Sequence, residues 1–170
     1  MSEITWPEGY LPGTTDYFVS NVTVVPGLSA ARAWPFLADT ARWPESYGEL
    51  AQIRIHDGDG TALRFGTRFE FAVSGMLVQA EVNEFVAPAE DTPGRLSWHG
   101  WVESIGQKVL DAHCGWLIED LPGSRVSILW QETLIGPAAR ELSQLRPRPA
   151  LHSHQDWVEG IANAALAARV

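Results

Sequence analysis

Between Arg68 and Leu134, apolar side chains return at every second position in one stretch after another, a period that suits half-buried β-strands and not helices. Phe69, Phe71 and Val73 face away from Arg68, Glu70 and Ser74, and Ser74-Gly75 predicts a tight hairpin into Val78, Ala80 and Val82. Leu96, Trp98, Gly100 and Val102 then oppose Ser97, His99, Trp101 and Glu103. Leu110, Ala112, Cys114, Trp116 and Ile118 oppose Asp111, His113 and Glu119. After Pro122-Gly123, Val126, Ile128, Trp130, Glu132 and Leu134 line up against Arg125, Ser127, Gln131 and Thr133. The count places Glu132, a carboxylate, on the apolar side.

Before this block, residues 1–16 are rich in Pro, Gly and Thr, carry no periodicity and read as an irregular leader. A strand begins at Tyr17. Ser29 suits the N-cap of a short helix that carries Trp34 and Leu37 on one face, while Pro35 inside it predicts a kink or a shifted start. Ala51, Ile53 and Ile55 mark a further strand. After the block, Pro137 opens a short helix to about Leu145, and a last helix of about twenty residues follows. On it Leu151, His154, Val158, Ile161 and Ala165 share one face, opposite His152, Asp156, Glu159 and Asn163. The expected class is α+β: a curved antiparallel sheet of about six to seven strands wrapped around the long C-terminal helix, in a single domain over residues 17–170. Wherever sheet and helix do not close, a cavity remains.

Charge narrows the partners. A net charge of −9 without a Lys/Arg cluster argues against nucleic acid and anionic lipid. No apolar run is long enough to span a bilayer and the N-terminus does not read as a secretory signal, so a cytoplasmic protein without membrane insertion is expected. Cys114 is the single cysteine, which excludes an intrachain disulfide. The five histidines lack metal-site spacing, and neither a phosphate loop nor a nucleophile elbow occurs, so no metal and no cofactor is expected.

Four stretches, "VTVVPGLSAARAWPFLADTARWPE" (22–45), "FGTRFEFAVSGM" (65–76), "VNEFVAPAEDTPGRLSWHG" (82–100) and "GSRVSILWQETLIGP" (123–137), with the closing helix, follow one another in an order that resembles the polyketide cyclase/dehydrase-like members of the START-like (SRPBCC) superfamily. The resemblance covers nearly the whole chain after residue 17; Pro35 and the leader depart from it. It implies a helix-grip fold with an internal cavity. It does not imply one activity, since the superfamily is similar across cyclases, dehydratases, carriers and chaperone activators.

Glu132 is the sharpest candidate for chemistry. A carboxylate on an apolar face can serve as general acid or base if a substrate reaches it; the alternative is a structural glutamate satisfied by backbone donors or an arginine. His154, facing the sheet, could pair with Glu132 across the cavity, or be a satisfied core residue. Trp98, Trp116 and Trp130 share the buried parity and could form an aromatic wall with Phe69, Phe71, Cys114, Trp157 and Val158, although large rings also fill a core that binds nothing. His99 and His113 fall on the outer parity and read as surface residues. Trp101 falls there too, which predicts either a bulge after Gly100 that turns it inward or a contact in a homodimer. Nothing basic is placed to activate Cys114, which reads as a small buried hydrophobe.

The expected function is to hold a hydrophobic, aromatic or polyketide-like small molecule in an internal cavity, with Glu132 and His154 moving a proton in its cyclisation or dehydration. Two rivals stand beside it. One is a carrier or sensor of a lipid or metabolite that catalyses nothing; the other is a co-chaperone-like module that binds a protein.

Overall fold

The computed structural model describes residues 2–168. Seven strands form one antiparallel sheet: β1 (Tyr17–Pro26), β2 (Ala51–Ile55), β3 (Arg68–Val73), β4 (Met76–Val86), β5 (Gly94–Ser104), β6 (Gln107–Leu121) and β7 (Arg125–Ile135). Their order is β1-β7-β6-β5-β4-β3-β2, so chain neighbours pair from β2 to β7 while β1 returns to lie beside the last strand. Four helices accompany them: α1 (Ala30–Ala38), α2 (Trp43–Ser46), α3 (Pro137–Gln144) and α4 (Pro149–Ala167). None of these is long and apolar enough to cross a membrane.

The alternation seen in the sequence is the pleat of this sheet. Trp98, Trp116, Ile118, Val126, Ile128 and Trp130 are buried in one core with Trp157, Val158, Ile161, Ala162 and Ala165 of α4, and Trp157 meets Trp116 and Trp130 directly. His152, Asp156, Glu159 and Asn163 are exposed. Ser29 caps α1 as its side chain accepts from the Arg32 N–H, and the helix runs through Pro35 without moving its start from Ala30. At Ser74 and Gly75 the backbone adopts positive φ of 51° and 77°, the geometry of the tight hairpin that joins β3 to β4.

Close approach fixes how deep α4 sits. A Cβ on Gly160 would lie 1.7 Å from the Ser46 carbonyl oxygen, so only glycine lets α4 press its backbone against α2.

Residues 2–16 hold no strand or helix, yet they are not a loose tail. They lie across the outer face of the sheet: Ile4 is buried against Gly115, where a Cβ would come within 2.5 Å of its side chain. The Arg95 guanidinium donates to the Glu3 carbonyl and to the Thr5 hydroxyl, and Ser2 Oγ donates to Glu119. His113 corrects the sequence reading here. It is on the outer parity as counted but only 1% exposed, because Trp6 and Tyr10 cover it with ring centroids 5.5 and 5.8 Å away. Periodicity reports which face a side chain takes and says nothing of what later lies on that face.

His99 on the same face is half-buried. Its Nε2 lies 2.6 Å from Asp111 Oδ1, which also accepts from the Tyr10 hydroxyl at 2.9 Å. Burial acts to raise the Asp111 pKa, but hydrogen bonds from His99 and Tyr10 outweigh it and hold the carboxyl below its usual range. The Tyr10 phenol is pushed up to about 12 by burial and by Asp111. The register shift in β5 falls between Val102 and Glu103, not after Gly100, and Trp101 stacks on His99 at 5.1 Å.

Candidate functional site

Two apolar clusters fill the space between sheet and helices. The larger lies under α1, α2 and most of α4; the smaller gathers Tyr17, Val19, Val102, Leu110, Ala112, Leu134 and Ala139 towards α3. At their seam is a partly open cavity of about 310 Å³.

The seam has a local cause in the pairing of the strands. One row across the sheet reads Ala80, Gly100, Ala112, Leu134, and the next reads Val82, Trp98, Cys114, Glu132. Small residues in the first row leave space beside the large and polar ones in the second. Even a Cβ on Gly100 would meet Val78 only at 3.4 Å. The exposed Ser74 at the β3–β4 hairpin and Pro149 at the start of α4 mark the opening.

On the wall, β7 presents Trp130 and Glu132 two residues apart on its inner face, and α4 brings His154 over both. His154 Nε2 lies 3.2 Å from Glu132 Oε2, and the imidazole stacks on Trp130 with centroids 3.7 Å apart and planes 25° apart. Trp116 stacks beneath Trp130 at 4.5 Å, and Trp157 stands edge-on to both indoles at 5.4 and 5.1 Å. Aromatic pairs of this kind add about 0.5–1.5 kcal/mol each beyond the area they bury, so the position of His154 is strongly held.

The two ends of the imidazole differ. Nδ1 is buried and has no partner among the described residues, whereas Nε2 faces a carboxylate. A buried N–H without an acceptor is costly, so this geometry assigns the ring proton to Nε2. Glu132 Oε2 thus faces the ring N–H at 3.2 Å, and Oε1, which accepts no hydrogen bond among the described residues, is the oxygen left for a ligand.

The expected site residues separate into two groups. Phe71, Trp98, Trp130, Trp157, Glu132 and His154 border the cavity. Phe69, Cys114, Trp116 and Val158 do not: they are buried within the packed core behind it. Phe69 lies against Phe71, Trp43 and Trp98, and Cys114 Sγ accepts from Trp130 Nε1 at 2.6 Å. Burial, and then the nearby Glu132 charge, push the Cys114 thiol well above its ordinary pKa. Periodicity alone cannot separate these groups, since the seven strand residues share the sheet face turned to α4 and His154, Trp157 and Val158 lie on α4 itself.

Tyr47 was not foreseen from the sequence. It follows the short helix α2, stacks parallel to Trp157 at 6.1 Å and borders the cavity. Burial, then Glu49 and Asp156, raise its phenol pKa. No periodicity marks it. Gly100 and Ala112 were also missed, although their small size at inward positions of adjacent strands was a usable signal. Among the described residues no group of three or more His, Cys, Asp or Glu side chains is arranged to hold a metal ion.

A sheet curved around a long C-terminal helix, with a cavity between them, is a helix-grip arrangement. The chain belongs to the same family as hypothetical protein jhp0584 from Helicobacter pylori, whose crystal structure it matches with 38% sequence identity over 97% of each chain and a TM-score of 0.90. More distant structures share the fold alone. DynU16, a protein of the dynemicin biosynthetic locus, is 15% identical, with 88% of this chain matching 47% of that one at a TM-score of 0.61. Ara h 8.0201 is 13% identical, with 89% of this chain matching 99% of that one at a TM-score of 0.58. No protein-family model and no curated protein matches the sequence.

Proposed function

We propose that the protein binds a hydrophobic, aromatic or polyketide-like molecule in the cavity at the α4–β7 seam and that Glu132 moves a proton on it in an aldol-type cyclisation or dehydration. The observation that carries the reading is a carboxylate on the wall of an apolar cavity, with one oxygen engaged by His154 at 3.2 Å. Origin of the distant fold relative DynU16 in a biosynthetic locus points the same way.

The step balances without any further reagent. Glu132 Oε1 takes a proton from the carbon beside a ligand carbonyl, the enolate carbon bonds to a second carbonyl of the same chain, and the resulting alkoxide takes the proton back. Dehydration then removes a second proton from that carbon and loses the hydroxyl as water. His154 is a positioning residue in this scheme: it holds Oε2 and, stacked on Trp130, cannot swing away. Apolar walls fold the chain so that its two reacting carbons meet.

The carrier reading draws on the same contact, because a glutamate satisfied by His154 is also a sound structural element. Two measurements separate them. Native mass spectrometry of the purified protein with extraction of any retained compound tests occupancy. A linear diketone whose intramolecular condensation gives an absorbing cyclic enone tests turnover. Condensation faster than in buffer, and lost in Glu132→Gln, supports the enzyme; a retained aromatic metabolite with no condensation supports the carrier.

A further inference from the structure

We infer that the ligand is a two- to three-ring aromatic compound, neutral or cationic, that offers a hydrogen-bond donor to Glu132 Oε1, and that anionic ligands are shut out. The inference rests on the proposal above that this cavity is a binding site.

Size sets the first part. A cavity of about 150 Å³ is enough for one benzene ring. The volume here, about 310 Å³, therefore suits two or three fused rings and is too small for a long acyl chain held whole.

Charge sets the second. Glu132 is the carboxylate on the wall, His154 already faces it, and neither a lysine nor an arginine borders the cavity. Arg54, Arg68, Arg95 and Arg140 pair with Glu70, Asp57, Glu84 and Asp16, all outside the lining. The start of α4 does reach the cavity through Pro149 and Ala150, but a helix end carries roughly half an elementary charge, its first residue has no N–H, and Pro149 is exposed. It does not offset a full carboxylate. A ligand anion would thus meet a carboxylate across low-dielectric walls, with no lysine or arginine on the wall to pair it. A hydroxyl or ammonium would meet an acceptor whose second oxygen is already positioned.

Fluorescence quenching of the wall tryptophans and titration calorimetry with four compounds of one skeleton test this: naphthalene, naphthol, naphthylmethylamine as the cation and naphthoate as the anion. Naphthol and the amine should bind roughly tenfold or more tightly than naphthalene, and naphthoate roughly tenfold or more weakly. In Glu132→Gln the amine should lose its advantage and naphthoate should rise to within about threefold of naphthalene, while naphthol changes by less than about tenfold because the amide oxygen still accepts. Naphthoate binding the wild-type protein as well as naphthol, or an unchanged order in Glu132→Gln, would overturn the inference and leave the binding site standing. If none of the four binds, naphthalene included, the binding-site proposal falls and this inference with it.

Discussion

Glu132 and His154 meet across the gap between β7 and α4, Oε2 to Nε2 at 3.2 Å, and the imidazole is locked there by its stack on Trp130 at 3.7 Å. In the chain only α3 and its flanking turns separate this strand from this helix, and neither residue is in the site without the other's element. The pairing sets Glu132 Oε2 against the imidazole, while Oε1 accepts no hydrogen bond among the described residues.

Glu132→Gln keeps the shape and removes the charge. Turnover of the diketone should fall at least a hundredfold, the range for loss of a general acid/base, with affinity for a neutral aromatic ligand changed less than tenfold. Initial rates with purified variant decide it; surviving turnover removes Glu132 from the chemistry.

His154→Phe keeps the ring on Trp130 and deletes the unpartnered Nδ1. Stability should be unchanged or higher within about 1 kcal/mol, while turnover and the binding of hydroxyl-bearing ligands weaken as Glu132 loses its anchor. A large drop in Tm with unaltered binding would make His154 a core residue only.

Ala112→Phe should fill the cavity from its floor. Binding of every ligand is expected to vanish with a stability change under about 2 kcal/mol, because the ring enters space that is already empty. Gly100→Ala, whose methyl group would make ordinary contact with Val78 at 3.4 Å, should fold normally and bind slightly less. Thermal melts beside the binding titrations read both.

Gly160→Ala is expected to behave in the opposite way. Its methyl group would collide with the Ser46 backbone, forcing α2 from α4 at a cost of about 3 kcal/mol. Denaturant unfolding should show it, and an unchanged midpoint would mean that α2 yields freely.

Acid should loosen the N-terminal segment. Burial first, and then the neighbouring His99 charge, lower the His113 pKa from 6.5 to about 4. When the leader lifts, the ring regains its ordinary affinity for a proton, so the uncovered state binds more protons than the covered one between these two values. The contact is therefore at full strength above pH 6.5 and weakens as pH falls, by about 3 kcal/mol on reaching pH 4. Amide exchange of residues 2–10 should accelerate over that window in the wild-type protein and lose its pH slope in His113→Asn. Exchange that ignores pH in both would remove His113 from the account.

The same residues show what could be read in advance. That Glu132 shares a side with Trp130 and Leu134, and that His154 shares one with Val158 and Ile161, follows from periods of two and 3.6 along the chain. Those periods are imposed by backbone geometry within a few residues, so the strands and the long last helix were legible without coordinates, while the helix-grip order was implied by the resemblance of four stretches of the chain to a known superfamily. Three things were not. Trp98 borders a cavity while Trp116, on the neighbouring strand with the same parity, is core; the difference lies in cross-strand rows that put Gly100 and Ala112 together. His113 is buried because a segment about a hundred residues away in the chain crosses the sheet over it. Tyr47 joins the wall from an irregular stretch with no period to read. Sequence by itself determined which face each side chain takes, because that is a local property of strand and helix. Only the tertiary structure decided what stands opposite each face, whether packed ring, covering strap or open space, because that depends on distant elements meeting.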